Sequence, residues 1–254
     1  MDILISKEQH ILTLQFNRPE KKNAITAAMY QTMADALKDA ETDPAVRAIL
    51  LTGHAQIFTA GNDLEDFMKN PPSSADSPVY RYLWQISHAS KPIVAAVAGA
   101  AVGIGTTLLM HCDLVYAAEN ARFSMPFAQL GLCPEAASSL LLPQIVGYQR
   151  AAEKLLLGES FLALEALQMG LVNRVVAADQ LLDLARTQAA KLAALPASSI
   201  RATKRLMKAG QSAAVDAQMT EESIHFGAML AAPEAKEAFA AFFEKRKPDF
   251  SRFG

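Results

Sequence analysis

The sequence predicts an α/β fold with a helical C-terminal region. Strand and helix patterns alternate over the first half of the chain, whereas Ala-rich helical segments dominate from Pro143 to Lys245. A chain of 254 residues that is 51% hydrophobic can bury a large core without disulfides. Alternating strands and helices followed by helices indicate one α/β core over residues 1–196 and a smaller helical region over residues 197–254.

Hydrophobic periodicity predicts the individual elements of the first half. Strands are expected at Ile3–Ser6, His10–Phe16, Ala48–Thr52, Ile93–Ala98 and Leu114–Ala118, and helices at Thr26–Thr42 and Gly103–His111. Asn70–Pro78 is a polar, proline-rich loop. In the second half the one clear strand signal is Leu171–Val176, and Pro196 and Pro233 stand where helices begin.

The charge and the cysteines exclude several classes of protein. Lys and Arg number 24 against 26 Asp and Glu, a net charge of −2, so no overall positive field favours nucleic acid as a partner. Cys112 and Cys133 are too few for a disulfide framework, which is typical of a reducing compartment. The five histidines are dispersed without the spacing of metal ligands, so we predict no metal site.

The sequence predicts neither a targeting segment nor a membrane span. Asp2, Lys7 and Glu8 interrupt the apolar run that a signal peptide requires, and the expected location is the cytoplasm. Pro92–Cys112 is uncharged and long enough to cross a bilayer. Its proline, three glycines and many alanines are better explained by a strand, a turn and a buried helix.

Two glycine-bearing turns, Phe58–Leu64 and Gly99–Gly105, each precede a predicted helix. Backbone N–H groups in the first turn of a helix lack internal partners, so two such turns side by side can direct two donors at one oxygen atom, an oxyanion hole. The alternative is that the glycines only permit tight strand–helix packing. A dinucleotide-binding fingerprint at Gly103-Ile104-Gly105 is disfavoured because Leu108 stands where the third glycine belongs.

Four short motifs together resemble the crotonase superfamily, the enoyl-CoA hydratases and isomerases. They are Asn17-Arg-Pro-Glu-Lys-Lys-Asn-Ala24, Ala60-Gly-Asn-Asp-Leu64, Val97-Ala-Gly-Ala-Ala-Val-Gly-Ile-Gly105 and Cys112-Asp113. The resemblance extends from Ile11 to Pro248, and the downstream run Cys133-Pro-Glu-Ala-Ala-Ser-Ser139 is most similar to peroxisomal-type Δ3,Δ2-enoyl-CoA isomerases. It implies a spiral of repeated ββα units, acyl-CoA thioester substrates, no cofactor apart from the CoA of the substrate, and trimers or pairs of trimers.

The same resemblance assigns roles to individual residues. The oxyanion donors fall on the backbone N–H groups of Asn62 and Ile104, although the family usually has glycine at the second position. Substrate contacts are expected at Lys22, Asn23, Ala24, Ala60, Gly61, Asn62, Asp63, Leu64, Phe127, Lys245 and Lys247. The two C-terminal lysines correspond to basic residues that approach the CoA phosphates, often from a neighbouring subunit, and their alternative role is a solvated helix end.

Two positions argue against hydration. Where hydratases of the family carry two glutamates that activate water, this sequence has Thr107 and Phe127. Phenylalanine exchanges no proton and threonine is not a useful base near neutral pH. Because general acid–base catalysis is worth about 10²–10⁴-fold in rate, a site without both glutamates is expected to be a poor hydratase.

Glu135 is the acidic residue close to this region in the chain, and one carboxylate suffices for isomerisation. It can remove a proton from C2 of a 3-enoyl thioester and return one to C4, while two N–H donors stabilise the charge on the thioester oxygen. Burial would raise its pKa, whereas a helix starting at Pro134 would lower it. Its alternative role is a stabilising carboxylate in the first turn of a helix.

The sequence therefore predicts a Δ3,Δ2-enoyl-CoA isomerase of fatty-acid oxidation with Glu135 as the proton shuttle. The alternatives are enoyl-CoA hydration or acyl-CoA thioester hydrolysis on the same scaffold, and acyl-CoA binding without catalysis. Cys133 lacks a histidine partner for nucleophilic catalysis, and Asp63 is expected to cap a helix. We also expect the Asn70–Pro78 loop to shape the acyl pocket, and Phe239, Phe242 and Phe243 to form a subunit contact or part of the core.

Overall fold

The computed structural model describes residues 1–72, 74 and 76–253, and their strands form two sheets. The larger sheet has the spatial order β1 (Ile3–Glu8), β2 (Ile11–Phe16), β3 (Ala48–Thr52), β5 (Ile93–Val97), β7 (Leu114–Ala118) and β10 (Arg174–Val176). The smaller sheet has the order β4 (Ile57–Thr59), β6 (Ala100–Val102), β8 (Arg122–Ser124) and β9 (Phe161–Leu162). β1 pairs with β2 and β8 with β9 in antiparallel fashion, and the other neighbouring strands are parallel.

The α-helices range from 4 residues in α4 to 20 residues in α10. They are α1 (Ala27–Thr42), α2 (Leu64–Lys69), α3 (Pro78–His88), α4 (Ile104–Thr107), α5 (Ser138–Val146), α6 (Tyr148–Ala152), α7 (Ala163–Gln168), α8 (Leu181–Ala194), α9 (Ala197–Ala209), α10 (Ser212–Ala231) and α11 (Pro233–Phe243). Single turns of 3₁₀-helix lie at Pro19–Lys21, Leu108–His111 and Ala128–Leu130, and a π-helical turn at Glu153–Leu157 follows α6.

From β3 to β8 successive strands alternate between the two sheets, and this alternation builds the repeated unit of the fold. β3 in the larger sheet is followed by β4 in the smaller sheet and then by helix; the same sequence recurs as β5, β6 and α4, and as β7, β8 and α5. Neighbouring parallel strands cannot be joined by a tight turn, so a longer connection that includes a helix leads from each strand to the next. The predicted spiral of ββα units is confirmed.

The larger sheet is covered on both faces. Every residue of β3 and β5 is buried, as expected for parallel strands in the middle of a sheet. On one face Met29, Met33 and Leu37 of α1 belong to the main hydrophobic core, and Thr26 caps this helix by accepting a hydrogen bond from the Met29 N–H. On the other face alanines of α8 pack against the sheet. The resulting scaffold holds the strand ends, and therefore the turns that follow them, in fixed positions.

The helices after residue 196 are joined to this scaffold by both apolar and ionic contacts. Phe226 of α10 and Phe239 of α11 belong to the main hydrophobic core. Lys204 of α9 is buried, and its Nζ donates hydrogen bonds to Asp113 Oδ2 at 2.7 Å and to the Lys91 carbonyl at 2.8 Å. The division at residue 196 stays a prediction.

Several predicted boundaries differ from the structure. Pro78 begins α3 instead of ending a loop, because proline suits the first turn of a helix. The helix predicted at Gly103–His111 consists of α4 and a 3₁₀ turn, and the strand predicted at Leu171–Val176 is shortened to β10. The sequence patterns did not reveal β4, β6 or β8, each only three residues long and too short for a periodicity signal.

The uncharged stretch from residue 92 to residue 112 is not one continuous helix. It contains β5, β6, α4 and the whole 3₁₀ turn that follows α4, as the glycines predict. Among the residues that the structure describes, no helix combines the length and the apolar character that a membrane span requires.

Candidate active site

Two parallel strands of the smaller sheet bring the two glycine turns side by side. Thr59 of β4 is paired with Ala101 of β6, and Asn62 and Ile104 follow three residues after each of these partners. Parallel strands end at the same edge of a sheet, so Asn62 and Ile104 lie at matching positions on that edge. A Cβ atom added to Gly61 would lie 2.9 Å from the Val102 carbonyl oxygen, so the two turns are in close contact.

The backbone N–H groups of Asn62 and Ile104 are free to bind an external oxygen. Neither donates a hydrogen bond to an acceptor in the described part of the chain. The neighbouring groups hold the first turn: Ile25 N–H donates to Gly61 O at 2.8 Å, and Asp63 N–H donates to Ile25 O at 2.9 Å. Ile104 is the first residue of α4, where an unpaired N–H is inherent to the helix, so both groups are candidate oxyanion donors.

Side chains at the first turn stabilise its conformation. The Tyr30 hydroxyl of α1 donates a 2.5 Å hydrogen bond to Asn62 Oδ1. Asp63 is the N-cap of α2: one carboxylate oxygen accepts from the Asp66 N–H at 3.1 Å, and the other accepts from Arg18 Nη1 at 2.7 Å. Because these contacts occupy the Asp63 carboxylate, it serves as a helix cap and ion-pair partner, as the sequence predicts.

The segment Lys22–Ala24, where CoA contacts are predicted, is fastened to β4. Asn23 is fully buried, and its side-chain amide donates hydrogen bonds to Ile57 O at 3.1 Å and Phe58 O at 3.0 Å. The Lys22 carbonyl accepts from the Ala60 N–H at 3.0 Å. This segment therefore borders the 60–64 turn, as the prediction requires, although contact with CoA stays a prediction.

Glu135 lies in a turn of unusual backbone conformation. The next two residues, Ala136 and Ala137, have φ angles of 62° and 55°, in the left-handed region that alanine rarely adopts. His111 Nε2 lies 2.8 Å from Ala136 O and holds this turn from the 3₁₀ segment. Helix α5 begins at Ser138, so the expectation of a helix starting at Pro134 is wrong: the left-handed residues 136 and 137 cannot be part of a right-handed helix.

The Glu135 carboxyl group is buried at the wall of a cavity of about 700 Å³. Its Oε1 atom has no hydrogen-bond partner among the described residues. Burial is the main cause that raises its pKa to about 8, and the negative charge of Glu222 raises it further. Without a helix N-terminus at Pro134 to oppose it, desolvation decides the direction of the shift.

Apolar side chains from several elements line part of this cavity. They are Phe67 of α2, Val79 and Leu83 of α3, and Met219 and Phe226 of α10. Pro72, Ser74 and Asp76 of the Asn70–Pro78 loop also line it, while Ser73 and Ala75 of that loop lie outside the described residues. The volume is within the range typical of small-molecule sites, about 300–1,000 Å³.

Glu222 of α10 is a second buried carboxylate in the cavity wall, which the sequence did not reveal. Its Oε2 accepts from the Ala137 N–H at 2.6 Å, and its Oε1 accepts from the Ser139 N–H at 3.0 Å and the Ser139 hydroxyl at 2.5 Å. Burial raises the pKa of Glu222, and these hydrogen bonds oppose that shift. It lies 87 residues after Glu135, and no local pattern links the two.

Comparison with known proteins decides the family. The model of the enoyl-CoA hydratase/isomerase family matches residues 6–252. The chain belongs to the enoyl-CoA hydratase/isomerase family. It is therefore a crotonase-fold protein of an enzyme family that acts on CoA thioesters.

The similar proteins in this family include both hydratases and isomerases. The chain is 34% identical to 2,3-dehydroadipyl-CoA hydratase of Escherichia coli over 250 residues, covering 98% of both chains. It is 37% identical to enoyl-CoA delta isomerase 2 of Rattus norvegicus over 252 residues, covering 97% of this chain and 64% of the rat protein. The crystal structure of an enoyl-CoA hydratase/isomerase from Pseudoalteromonas atlantica superimposes with a TM-score of 0.94 at 45% identity, covering 99% and 100% of the two chains.

Thr107 and Phe127, the residues predicted to replace the two hydratase glutamates, are both buried. Thr107 is fully buried and its Oγ1 finds no hydrogen-bond partner within the described residues. Phe127 is also buried, and a Cβ atom on Gly103 would lie 3.9 Å from its Cε1 atom. Phe127 therefore packs against the turn that precedes Ile104 and adds no ionisable group to it.

Of the predicted site residues, Glu135 lines the cavity, whereas Asn62, Ile104 and the predicted substrate contacts do not. Lys245 and Lys247 are exposed, and neither belongs to the described cavity wall. Phe239 is buried within the chain, whereas Phe242 and Phe243 are 60% and 43% exposed. Burial raises the pKa of the Cys133 thiol to about 11, which makes it a weak nucleophile at neutral pH. In the described part of the chain no group of three or more His, Cys, Asp or Glu side chains is arranged to hold a metal ion.

Proposed function

We propose that this member of the family is a Δ3,Δ2-enoyl-CoA isomerase of fatty-acid oxidation in which Glu135 transfers the proton. The observation that carries the proposal is the Glu135 carboxyl group, buried in the cavity wall with one oxygen free of described hydrogen-bond partners. A carboxyl group whose pKa lies near the working pH both accepts and returns a proton efficiently.

The proposed reaction has two proton transfers. The Glu135 carboxylate removes a proton from C2 of the 3-enoyl thioester, and the electron pair of the C–H bond moves into a dienolate whose charge lies on the thioester oxygen. The N–H groups of Asn62 and Ile104 stabilise that oxygen. Glu135 then returns its proton to C4, the double bond forms between C2 and C3, and the carboxylate is regenerated.

Hydration is the second candidate, because a second carboxylate, Glu222, lines the same cavity. Two carboxylates can activate water between them in a hydratase. However, both Glu222 oxygens already accept hydrogen bonds from Ala137 and Ser139, which leaves this group poorly suited to exchange protons. Thr107 and Phe127 supply no acid or base at the usual hydratase positions, so isomerisation is favoured.

The substrate contacts and the assembly belong to the same proposal. We expect the CoA part of an acyl-CoA thioester beside Lys22–Ala24 and Ala60–Leu64, since the hydrogen bond from the Ala60 N–H to the Lys22 carbonyl holds these two segments together. The exposed pair Phe242 and Phe243, close to Lys245 and Lys247, supports a homotrimer or a pair of trimers in which these lysines reach CoA bound to another subunit. No cofactor other than the CoA of the substrate is needed, and we expect a cytoplasmic location.

A substrate deuterated at C2 tests the proposal. Turnover of 3-hexenoyl-CoA labelled at C2 should give 2-hexenoyl-CoA that carries part of the deuterium at C4, because a buried carboxyl exchanges slowly with water. Glu135→Gln should lower kcat by about 10²–10⁴-fold with little change in Kd for a saturated acyl-CoA. Glu221→Gln, which changes an exposed carboxylate of α10 in the same way, is the control and should leave kcat unchanged. Wild-type turnover by Glu135→Gln, or conversion of crotonyl-CoA to hydroxyacyl product as fast as isomerisation, would contradict it.

A further inference from the structure

Glu222 reaches the turn that carries Glu135 from a distant helix. The carboxylate comes from the middle of α10 and binds the backbone of Ala137 and Ser139, two and four residues after Glu135. Gln218, one helical turn earlier on α10, donates to the Ser139 hydroxyl at 2.9 Å and orients the same network. Thus α10 holds the segment that carries the proposed base through buried polar contacts.

These contacts stabilise a strained backbone conformation at Ala136 and Ala137. Left-handed φ angles at two successive alanines are unfavourable for residues with a Cβ atom, and such strain persists only where surrounding contacts enforce it. Glu222 Oε2 accepts the N–H of the second of these alanines at 2.6 Å, and His111 Nε2 lies 2.8 Å from the carbonyl of the first. The turn aims Glu135 at the cavity because both contacts hold it.

We propose that Glu222 is a positioning residue for Glu135, holding the left-handed turn at Ala136 and Ala137 and keeping a fixed negative charge next to the base. The proposal rests on the proposed function of Glu135 as the proton shuttle. Glu222 touches neither the thioester nor the transferred proton in this scheme and acts only through Glu135.

The other titratable groups facing Glu135 are neutral over the working pH range. Burial holds the pKa of Tyr30 of α1 and Tyr80 of α3 above the usual tyrosine value, and raises that of Cys133 to about 11. Burial lowers the pKa of His111 to about 4. Among these groups, Glu222 is thus the one whose charge acts on the Glu135 carboxyl group.

Three more charged residues line the cavity, and two of them have a close polar partner elsewhere. Arg81 donates a hydrogen bond to Asp35 Oδ1 at 3.2 Å, and Asp216 lies 3.2 Å from His88 Nε2. Asp76 is the third. They lie on α3, α10 and the loop before α3, and the pKa of Glu135 responds to Glu222 alone among charged neighbours.

The test compares Glu222→Gln, Glu222→Asp and Glu221→Gln. For wild type, kcat/KM should rise with pH to a plateau, with a midpoint near pH 8, because the deprotonated Glu135 is the reactive form. Glu222→Gln removes the charge and one acceptor, so the midpoint should fall by about one pH unit and kcat by roughly tenfold, with KM within about threefold. Glu222→Asp keeps the charge but shortens the reach, so kcat should fall while the midpoint stays near pH 8.

Glu221→Gln is the control for removing a charge from the same helix. Glu221 is exposed and pairs with His225, so this variant should keep both the wild-type midpoint and the wild-type kcat. A folded Glu222→Gln protein with an unchanged midpoint and kcat would overturn the proposal. If Glu222→Gln does not fold, wild-type kcat in Glu222→Asp would overturn it instead.

A direct titration separates failure of this inference from failure of the proposed function. Glutamate labelled with ¹³C at the carboxyl carbon, assigned by its loss in Glu135→Gln, reports the ionisation of Glu135 without any turnover. The Glu135 signal should titrate at lower pH in Glu222→Gln than in wild type. Full activity of Glu135→Gln would refute the isomerase mechanism, whereas an unshifted Glu135 titration in Glu222→Gln would refute the role of Glu222.

Discussion

The Tyr30 hydroxyl donates a hydrogen bond to Asn62 Oδ1, which links the first long helix to the turn that carries one of the two free N–H groups. Tyr30 is buried, and its ring lies 5.5 Å from that of Tyr82. The bond fixes the Asn62 side chain and so restricts rotation of the adjacent peptide group. The position of the proposed oxyanion donor at Asn62 therefore depends on a residue in α1, 32 positions earlier in the chain.

Tyr30→Phe removes the hydrogen bond to Asn62 and keeps the aromatic ring, so it measures the effect of the hydroxyl alone. We expect a loss of about 1 kcal/mol in the free energy of unfolding and a drop in kcat of roughly tenfold, with KM almost unchanged. Tyr82→Phe is the matched control, because the Tyr82 hydroxyl is buried without a described hydrogen-bond partner. Denaturant unfolding and steady-state kinetics measure both variants, and equal effects of the two substitutions would contradict a specific role for Tyr30.

Gly61→Ala should disturb the same turn through its backbone. Gly61 has a φ of +88°, and a Cβ atom there would lie 2.9 Å from Val102 O. We expect a loss of roughly 1–3 kcal/mol in stability and about 10²-fold in kcat, because the Asn62 N–H moves away from the thioester oxygen. Gly170→Ala has the same backbone strain, with φ +82°, but meets open space. It should lose stability and keep kcat; similar kcat losses in both variants would count against an oxyanion role for Asn62.

The raised pKa of Glu135 predicts a pH-dependent cost to stability. The folded protein keeps a proton on this carboxyl up to about pH 8, whereas the unfolded chain releases it near pH 4.5. The folded state binds more protons between these values, so the contribution of Glu135 to stability is lost as pH rises through this window. Relative to wild type, Glu135→Gln should gain roughly 2–4 kcal/mol between pH 5 and pH 8.5. Denaturant unfolding of both proteins at the two pH values measures the difference, and a constant difference would contradict the burial of an ionisable group here.

Thr107→Val tests whether the buried hydroxyl takes part in the reaction. Since Thr107 Oγ1 has no partner among the described residues, replacing it by a methyl group should leave stability unchanged or raise it by up to about 1 kcal/mol. Isomerase kcat should stay within about threefold of wild type. Thr106→Val is the control, because Thr106 Oγ1 donates to Ala101 O at 2.6 Å and its loss should cost about 1–2 kcal/mol. A large fall in kcat for Thr107→Val would show that this position acts on substrate or water.

The sequence determined the fold class because its signals are local. The buried stripe of Met29, Met33 and Leu37 repeats at helical spacing, and Ala48–Thr52 is an uninterrupted apolar run, so their elements follow from periodicity alone. The Gly61 and Gly103 turns were also visible, since only glycine readily adopts the positive φ that both require. Family membership followed from motifs that each span only a few residues.

The arrangement of the site was decided by the tertiary structure. The three-residue strands β4 and β6 have no periodicity of their own, yet their parallel pairing is what brings Asn62 and Ile104 to one edge. The helix start expected at Pro134 was wrong because contacts from His111 and Glu222 hold residues 136 and 137 in a left-handed turn. The direction of the Glu135 pKa shift was undecided in the sequence, since desolvation depends on which distant side chains enclose the carboxyl group. The burial of Glu135 and its proximity to the Glu222 charge arise only in the assembled fold, because they depend on residues that are distant in the sequence.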